Sequence, residues 1–201
     1  GVPRDFVELP SQIMENWALE PEVLKVYAKH WKTNEPIPAA LVAKIHESEL
    51  YGQGFATVEY TAAAYLDMNW HTLTEPKIEN ATAFEKASLA KIGLIPEIVS
   101  RYRSPYFQHI FGPGGGYSAG YYSYLWSEIL DADAFEAFRE KGIFDKATAT
   151  AFRKNILEKG GTAEAMSLYK AFRGREPSVQ PLLVRRGLAP AATAATAPTT
   201  H

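Results

Sequence analysis

The sequence contains no cysteine among its 201 residues. Disulfides, thiolate zinc sites and cysteine nucleophiles are therefore excluded. The absence does not choose between the cytoplasm and the periplasm, because a protein without disulfides is compatible with both compartments.

Strong charge of either sign is lacking as well. The formal net charge is -2 and the isoelectric point is near 6.3, with Lys and Arg dispersed along the chain. Without a basic stripe to follow phosphates, nucleic acid is not expected as a partner. No apolar run reaches the roughly 18 residues of a membrane-spanning helix, so no membrane partner is expected. A small molecule or a peptide is the expected partner.

Familiar catalytic motifs are missing too. His46-Glu47 is followed by Ser48 and Glu49, and position 50 is not a histidine, so His-Glu-x-x-His is absent. The five histidines never pair at metal-ligand spacing, and no Gly-x-Ser-x-Gly elbow is present. The residues by themselves predict parts of a functional site but not a complete set of catalytic or metal-binding groups.

The pattern that is present is helical. Hydrophobic residues make up 46% of the chain, enough for a buried core, and they recur at helical rather than alternating spacing. We expect a mainly α fold with little β structure and a kink near Pro10. The predicted helices cover 4–19, 21–31, 38–51, 55–73, 81–92, 117–138, 146–159 and 162–172.

Composition divides the chain in two. Residues 1–188 read as one folded helical unit, whereas residues 189–201 contain only small residues, threonine, proline and a final histidine. Such a tail cannot bury enough apolar surface to offset its ordering entropy. We expect residues 189–201 to be disordered.

Four polar residues form a stripe near the start of the chain. Asp5, Glu8, Gln12 and Glu15 are spaced by 3, 4 and 3 residues, which places them on one helical face. The stripe is either the solvated face of an amphipathic helix or a set of partly buried carboxylates that need a cation, a metal or hydrogen bonds.

A row of tyrosines follows a glycine-rich run at 114–116. Tyr117, Tyr121 and Tyr124 stand at i, i+4 and i+7, and His109 precedes the run. These side chains are either core residues whose hydroxyls reach solvent, or they are hydrogen-bond donors to a developing oxyanion beneath a loop that closes over the substrate. A phosphate cradle is disfavoured, because no Gly-Lys-Ser/Thr ending follows.

Three long strings carry a resemblance to a known family: VPRDFVELPSQIMENWA (2–18), QGFATVEYTAAAYLDMNWH (53–71), and RYRSPYFQHIF with GGGYSAGYYSYLWSEILDADAF (101–135). They resemble the thimet oligopeptidase and peptidyl-dipeptidase family of zinc metallopeptidases. The similarity extends over about 1–188. Within the family, the GYYSYLW and RRGL strings are more like those of bacterial dipeptidyl carboxypeptidases than those of animal oligopeptidases.

The resemblance implies that this chain is the C-terminal part of a two-lobed enzyme with a deep substrate channel and one zinc ion at its floor. Glu8 matches the family's zinc-binding glutamate. Asp5 and Glu15 are placed to orient the ligand histidines without binding the zinc themselves. The two zinc histidines and the general-base glutamate would lie upstream of residue 1. That histidine-bearing part and an oligopeptide are the implied partners, and the chain alone is expected to be inactive.

The resemblance also assigns the residues around the tyrosines. One departure is the eight-residue spacing from His109 to Tyr117, longer than the family's usual five or six, which indicates an insertion in GPGGG. The implied catalytic residues are His109, Tyr117 and Tyr124, and the implied substrate-binding residues are Tyr121, Gly115 and Gly116.

Two functions follow from these assignments. The first is a zinc-dependent peptidyl-dipeptidase that releases C-terminal dipeptides from oligopeptides, of which this chain is a part. The second is a non-catalytic helical module that binds peptides and has lost the zinc histidines. The carboxylate stripe favours the first, because a binding wall has no use for a metal-facing carboxylate.

Overall fold

The computed structural model describes residues 1–75 and 80–190. The predicted mainly α fold class is confirmed: these residues hold no β-strand, and Lys29 and Pro36 form an isolated antiparallel bridge. Short 3₁₀ turns occur at Asn16–Leu19, Ser104–Tyr106 and Pro113–Gly115, and a π turn follows at Arg153–Leu157. The α-helices are α1 (Arg4–Val7), α2 (Leu9–Glu15), α3 (Pro21–Tyr27), α4 (Ala39–Glu49), α5 (Gln53–His71), α6 (Ala81–Lys91), α7 (Gln108–Phe111), α8 (Ser123–Lys141), α9 (Lys146–Phe152), α10 (Ala165–Arg173) and α11 (Gln180–Arg185).

The predicted disordered tail falls almost wholly outside the described residues, which end at 190, so its disorder stays a prediction. Within the described ranges, no helix combines the length and the apolar character that crossing a membrane requires.

The kink predicted near Pro10 lies at Glu8. This residue ends α1 and immediately precedes α2, and Pro10 occupies the first turn of α2. Proline is tolerated there because a first-turn N–H has no partner within the helix. The break places the Glu8 carboxylate at a junction between two helices instead of in the middle of one.

The first apolar cluster packs α1 and α2 against α8, α9 and α10. Trp17 fits into it with its ring edge-to-face on Phe135 and Phe138, at centroid distances of 4.7 and 4.8 Å. The Trp17 indole N–H donates to the Ile143 carbonyl oxygen at 2.9 Å, which satisfies its polar end. The fully buried members include Phe6, Leu9, Ile13, Leu130, Phe135, Phe138, Phe152, Ile156, Leu168 and Tyr169.

A second apolar cluster lies between α5, α7 and the segment before α8. Ala63 and Ala64 of α5 are buried against Phe107, Ile110 and Tyr121. Small alanine side chains let these elements approach the helix closely. The second cluster is what brings α5 beside the tyrosines.

Helix α8 is covered on several sides, and two of its acidic residues, Asp131 and Asp133, are buried rather than solvated. Asp131 accepts hydrogen bonds from Arg185 at 2.7 Å and from Asn16 at 3.1 Å. Asp133 accepts from Arg175 at 2.6 Å. Because a buried carboxylate requires such partners, these pairs bind α2, α11 and the segment before α11 to the central helix.

Besides the break at Glu8, two predicted helices differ most clearly from the structure. The helix predicted at 21–31 ends at Tyr27, because Ala28 leaves the helical region with a ψ of 72° and the Lys29–Pro36 bridge closes a loop. The helix predicted at 117–138 begins only at Ser123 and continues to Lys141. Its first six residues form turns, for the reasons given next.

Candidate functional site

Residues 117–122 form a turn that we call the tyrosine turn. Ala119 adopts a left-handed backbone with φ 52°, which interrupts any helix. Asp67 of α5, which is fully buried, accepts the backbone N–H of Ala119 at 2.9 Å and that of Tyr121 at 2.8 Å. One carboxylate therefore holds two backbone N–H groups of the turn, including that of Tyr121, which a helix begun at Tyr117 would have paired with the Tyr117 carbonyl oxygen.

The tyrosines gather despite the lost helix. The rings of Tyr117 and Tyr124 stack with centroids 5.1 Å apart. The His109 ring lies 6.1 Å from each of them and 5.3 Å from Tyr121. The structure thus brings together the four aromatic side chains that the sequence singles out, although by a turn and not by one helical face.

Glu8 lies directly against this group. The Tyr117 hydroxyl donates to Glu8 Oε1, and the Ser11 hydroxyl donates to Oε2 at 2.8 Å. The Arg4 guanidinium stands 4.9 Å from the centre of the Tyr117 ring. The carboxylate that the resemblance assigns to zinc is therefore oriented by a phenol and a hydroxyl.

The other residues of the polar stripe differ in their contacts and exposure. Asp5 accepts a long hydrogen bond of 3.3 Å from Tyr122, and the Gln12 amide donates to the Tyr124 carbonyl oxygen at 3.2 Å. Glu15 is exposed and, among the described residues, has no hydrogen-bond partner; it lines a cavity of about 480 Å³. The roles of Asp5 and Glu15 behind ligand histidines stay predictions.

The phenols of the site are held in their protonated form. Burial raises the pKa of Tyr117, and its hydrogen bond to Glu8 raises it further. Burial likewise raises the pKa of Tyr124 and that of Tyr121. A protonated phenol is a hydrogen-bond donor, so these side chains keep the proton that an anionic acceptor needs.

The pKa of His109 is shifted in the opposite direction. Burial lowers its pKa, the positive charge of Arg101 lowers it further, and the negative charge of Glu8 opposes both. The Nδ1 atom of His109 is buried and has no hydrogen-bond partner among the described residues. The imidazole is therefore neutral near pH 7 and retains unused hydrogen-bonding capacity.

The glycine-rich run has a structural requirement of its own. Gly116 has φ 20°, and a Cβ at this position would stand 2.5 Å from the His109 carbonyl oxygen. That same carbonyl accepts the Tyr117 N–H at 2.7 Å. Glycine is needed where the loop crosses His109, whereas contact of Gly115 and Gly116 with substrate stays a prediction.

A cavity of about 360 Å³ opens beside the tyrosines and shows residues that the sequence reasoning missed. Tyr60 of α5 donates to the Tyr121 carbonyl oxygen and accepts the Leu125 N–H at 3.2 Å. No local pattern identifies Tyr60, because it belongs to a different helix from the tyrosine row. The cavity is lined by Gln12, Tyr60, Arg101, Tyr102, His109, Tyr121, Tyr124, Leu125 and Glu128.

The described residues do not by themselves supply a complete set of metal ligands. Residues 1–75 and 80–190 contain no group of three or more His, Cys, Asp or Glu side chains that could hold a metal ion. A zinc site needs at least three protein ligands, and a carboxylate oxygen is an accepted one. Glu8 therefore fits the role of one ligand in a larger set.

Comparisons with known proteins find similarity to one family of peptidases. The model of peptidase family M3 matches residues 1–188. The dipeptidyl carboxypeptidase of Salmonella typhimurium is 45% identical over 190 residues, and that of Escherichia coli is 42% identical over 190 residues. Oligopeptidase A of Escherichia coli is also 42% identical over 190 residues. Each match covers 94% of this chain but 28% of the relative, so the chain spans little more than a quarter of their length.

Proposed function

The chain belongs to peptidase family M3, and from this premise we propose that it forms the substrate-facing wall of a zinc-dependent peptidyl-dipeptidase. The reaction is hydrolysis of the peptide bond that releases a C-terminal dipeptide from an oligopeptide. The observation that carries the proposal is the hydrogen bond from the Tyr117 hydroxyl to Glu8, which joins the candidate metal ligand to the candidate oxyanion donors. The names of the dipeptidyl carboxypeptidase relatives support the substrate class.

Glu8 would hold the zinc ion together with ligands from outside this sequence. We place two histidines and a general-base glutamate there, since no His-Glu-x-x-His occurs among the 201 residues. Bound zinc supplies polarisation of the scissile carbonyl and a water whose pKa is lowered to about 7. Ser11 contributes by fixing one carboxylate oxygen of Glu8, which leaves fewer orientations for the other.

The chain's own part in the chemistry is hydrogen-bond donation. Tyr117 and Tyr124 stack side by side with their phenols protonated. In the proposed mechanism Tyr124 donates to the carbonyl oxygen of the cleaved bond as its negative charge grows, and Tyr117 does so by turning its single O–H from Glu8 to that oxygen. A donor fixed before the reaction is worth about 2.7–4 kcal/mol of transition-state stabilisation. Asp67 holds the turn that carries Tyr117 and leads into α8, where Tyr124 lies, so it acts by positioning.

A non-catalytic peptide-binding module is the less favoured alternative. The relatives that match 94% of the chain carry the names of peptidases. A module without a metal would also have no need for a carboxylate held between a serine and a tyrosine at the helix break.

The test measures zinc retention in the complete enzyme that carries this chain. Glu8→Gln keeps the shape of the side chain but replaces an anionic ligand by a neutral one. After dialysis against a weak chelator, we expect zinc affinity to fall by more than the roughly 10–100-fold that is typical of a residue that only orients a ligand. Glu15→Gln, on the exposed end of the same stripe, is the comparison and should retain more zinc. Equal zinc content in wild type and Glu8→Gln would remove Glu8 from the ligand set.

A further inference from the structure

Helix α6 carries a buried carboxylate that the proposed mechanism does not use. The Glu85 carboxylate accepts the Ser104 backbone N–H at 2.7 Å, the Ser104 hydroxyl at 3.1 Å and the Nε–H of Arg103. Burying a carboxylate is costly without such partners, so the hydrogen bonds fix the segment 103–104 against α6. Glu85 does not line the cavity beside the tyrosines, and any effect on that site is therefore indirect.

Ser104 connects Glu85 to two further helices. The buried Ser104 hydroxyl donates to Glu85 and accepts the indole N–H of Trp70, in α5, at 3.0 Å. The Trp70 ring lies 4.1 Å from the ring of Phe84 in α6 and stands edge-on to Phe111 of α7 at 5.5 Å. The loop before α7 is thus tied to α5 and α6 at a single residue.

The same loop forms one wall of the cavity beside the tyrosines. Tyr102, two residues before Ser104, lines that cavity, and its ring stacks on Phe107 at a centroid distance of 4.9 Å. The Tyr102 ring also lies 4.9 Å from the His109 ring and 5.9 Å from that of Tyr121. Because these rings are in contact, a backbone shift at Ser104 would displace Tyr102 and, through it, His109.

We propose that Glu85 is a positioning residue for peptide binding, which fixes the loop at Ser104 and so keeps Tyr102 and His109 in place on the cavity wall. The inference rests on the proposed peptidase function and adds to it a group that touches neither peptide nor metal. Only the fraction of enzyme with the loop in place binds peptide, so releasing the loop raises KM by the inverse of that fraction. A residue needed only for stability behaves differently, since a smaller folded fraction lowers the apparent kcat and leaves KM unchanged.

Steady-state kinetics in the complete enzyme test this role, with acetyl-tetra-alanine as the peptide. Glu85→Gln keeps the side-chain shape but offers one oxygen where the carboxylate offers two. It should raise KM about tenfold while kcat stays within about twofold of wild type. Arg103→Gln removes one donor and leaves Ser104 held, so it should raise KM about threefold. The milder variant decides the question if Glu85→Gln does not fold.

Arg175→Gln is the matched control. The Arg175 side chain is 46% exposed and pairs with the buried Asp133, much as that of Arg103, 44% exposed, pairs with the buried Glu85. Neither Arg175 nor Asp133 lines the cavity, so this variant should keep the wild-type KM. The role of Glu85 is overturned if the Glu85 and Arg103 variants keep the wild-type KM, if they lower kcat alone, or if Arg175→Gln raises KM as much.

Hydrogen exchange in the 201-residue chain measures the hold on the loop without turnover. In Glu85→Gln the amides of residues 101–107 should exchange at least about tenfold faster than in wild type, and those of α10 should be unchanged. Unchanged exchange of 101–107 would show that Glu85 does not fix the loop.

The failure of this inference and that of the peptidase function are separable. A complete wild-type enzyme that binds acetyl-tetra-alanine without cleaving it refutes the peptidase function. The dissociation constant from calorimetry then replaces KM, with the same ratios expected among the variants. A wild type that neither cleaves nor binds the peptide overturns both.

Discussion

Replacing Asp67 by asparagine removes one oxygen acceptor and one negative charge from beneath the tyrosine turn. In the structure the fully buried carboxylate accepts two backbone N–H groups, at 2.9 and 2.8 Å, and its Oδ1 also lies 2.7 Å from His71 Nδ1. An asparagine of the same shape offers a single oxygen, so its amide nitrogen must face the second N–H. No solvent reaches the site to replace the lost acceptor.

The magnitude follows from these two bonds. A hydrogen bond to a charged group is worth about 1.5–3 kcal/mol and a neutral one about 0.5–1.5 kcal/mol. Losing one bond and weakening the other should lower the free energy of unfolding by about 2–4 kcal/mol. Urea denaturation of the 201-residue chain, followed by far-ultraviolet circular dichroism, measures this change.

Glu59→Gln is the control for charge removal on the same helix, because Glu59 has no hydrogen bond among the described residues. It should alter the free energy of unfolding by no more than about 0.5 kcal/mol. If Asp67→Asn matched Glu59→Gln, the carboxylate would not be what holds the turn.

A double-mutant cycle in the complete enzyme extends the same test to catalysis. Asp67→Asn and Tyr117→Phe should each lower kcat, but together by less than the product of the separate effects, because Asp67 acts through the position of the Tyr117 phenol. Fully multiplicative effects would show that Asp67 does not act through Tyr117.

In the complete enzyme, Tyr124→Phe should lower kcat and kcat/KM together by at least about tenfold. Tyr106→Phe, at an exposed tyrosine, should change neither value. Equal turnover of the two variants would contradict the donor role of Tyr124. Gly116→Ala should lower the free energy of unfolding by at least about 1 kcal/mol, because its Cβ would stand 2.5 Å from a backbone oxygen. Gly54→Ala in α5 is the control and should raise the free energy of unfolding by about 0.5–1 kcal/mol. An unchanged free energy of unfolding for Gly116→Ala, measured by urea denaturation, would refute the close approach. Stability should fall as the pH drops from the ordinary histidine value of 6.5 towards the lowered pKa of His109, because the unfolded chain takes up that proton first. Urea denaturation at about pH 5 and about pH 7.5 should show a smaller acid loss in His109→Gln, and an equal loss would exclude His109 as the cause.

Local sequence predicted the helices well where neighbours in the chain decide the structure. The segment 81–92 follows Asn80, whose side chain caps α6 through the Ala83 N–H, and the structure places the helix at 81–91. The tyrosine row shows the limit of such reasoning. Its i, i+4, i+7 spacing is helical, yet a carboxylate from α5 claims two of its N–H groups, and that partner lies more than 50 residues away.

The candidate site could be predicted only through resemblance. The partners Glu8 and Tyr117 are 109 residues apart, and no spacing rule connects them. The acidic pair in α8 is a further case, because no local pattern shows that Arg185 and Arg175 are the partners of Asp131 and Asp133. No local sequence pattern identified Tyr60, Arg101 and Tyr102 as site residues, because they reach the site only through the packing of α5 and the loop before α7.

The ion pair between Asp131 and Arg185 has a consequence for synthesis on the ribosome. Asn16, which shares this pair, is translated 169 residues before Arg185. At about 5–20 residues per second, the early helices wait roughly 8–34 s for the residue that completes their packing. A product that terminates before Arg185 would bury Asp131 without its cation, a state that folds poorly and is open to proteases. Complete packing of the wall of the site therefore requires that translation has passed residue 185.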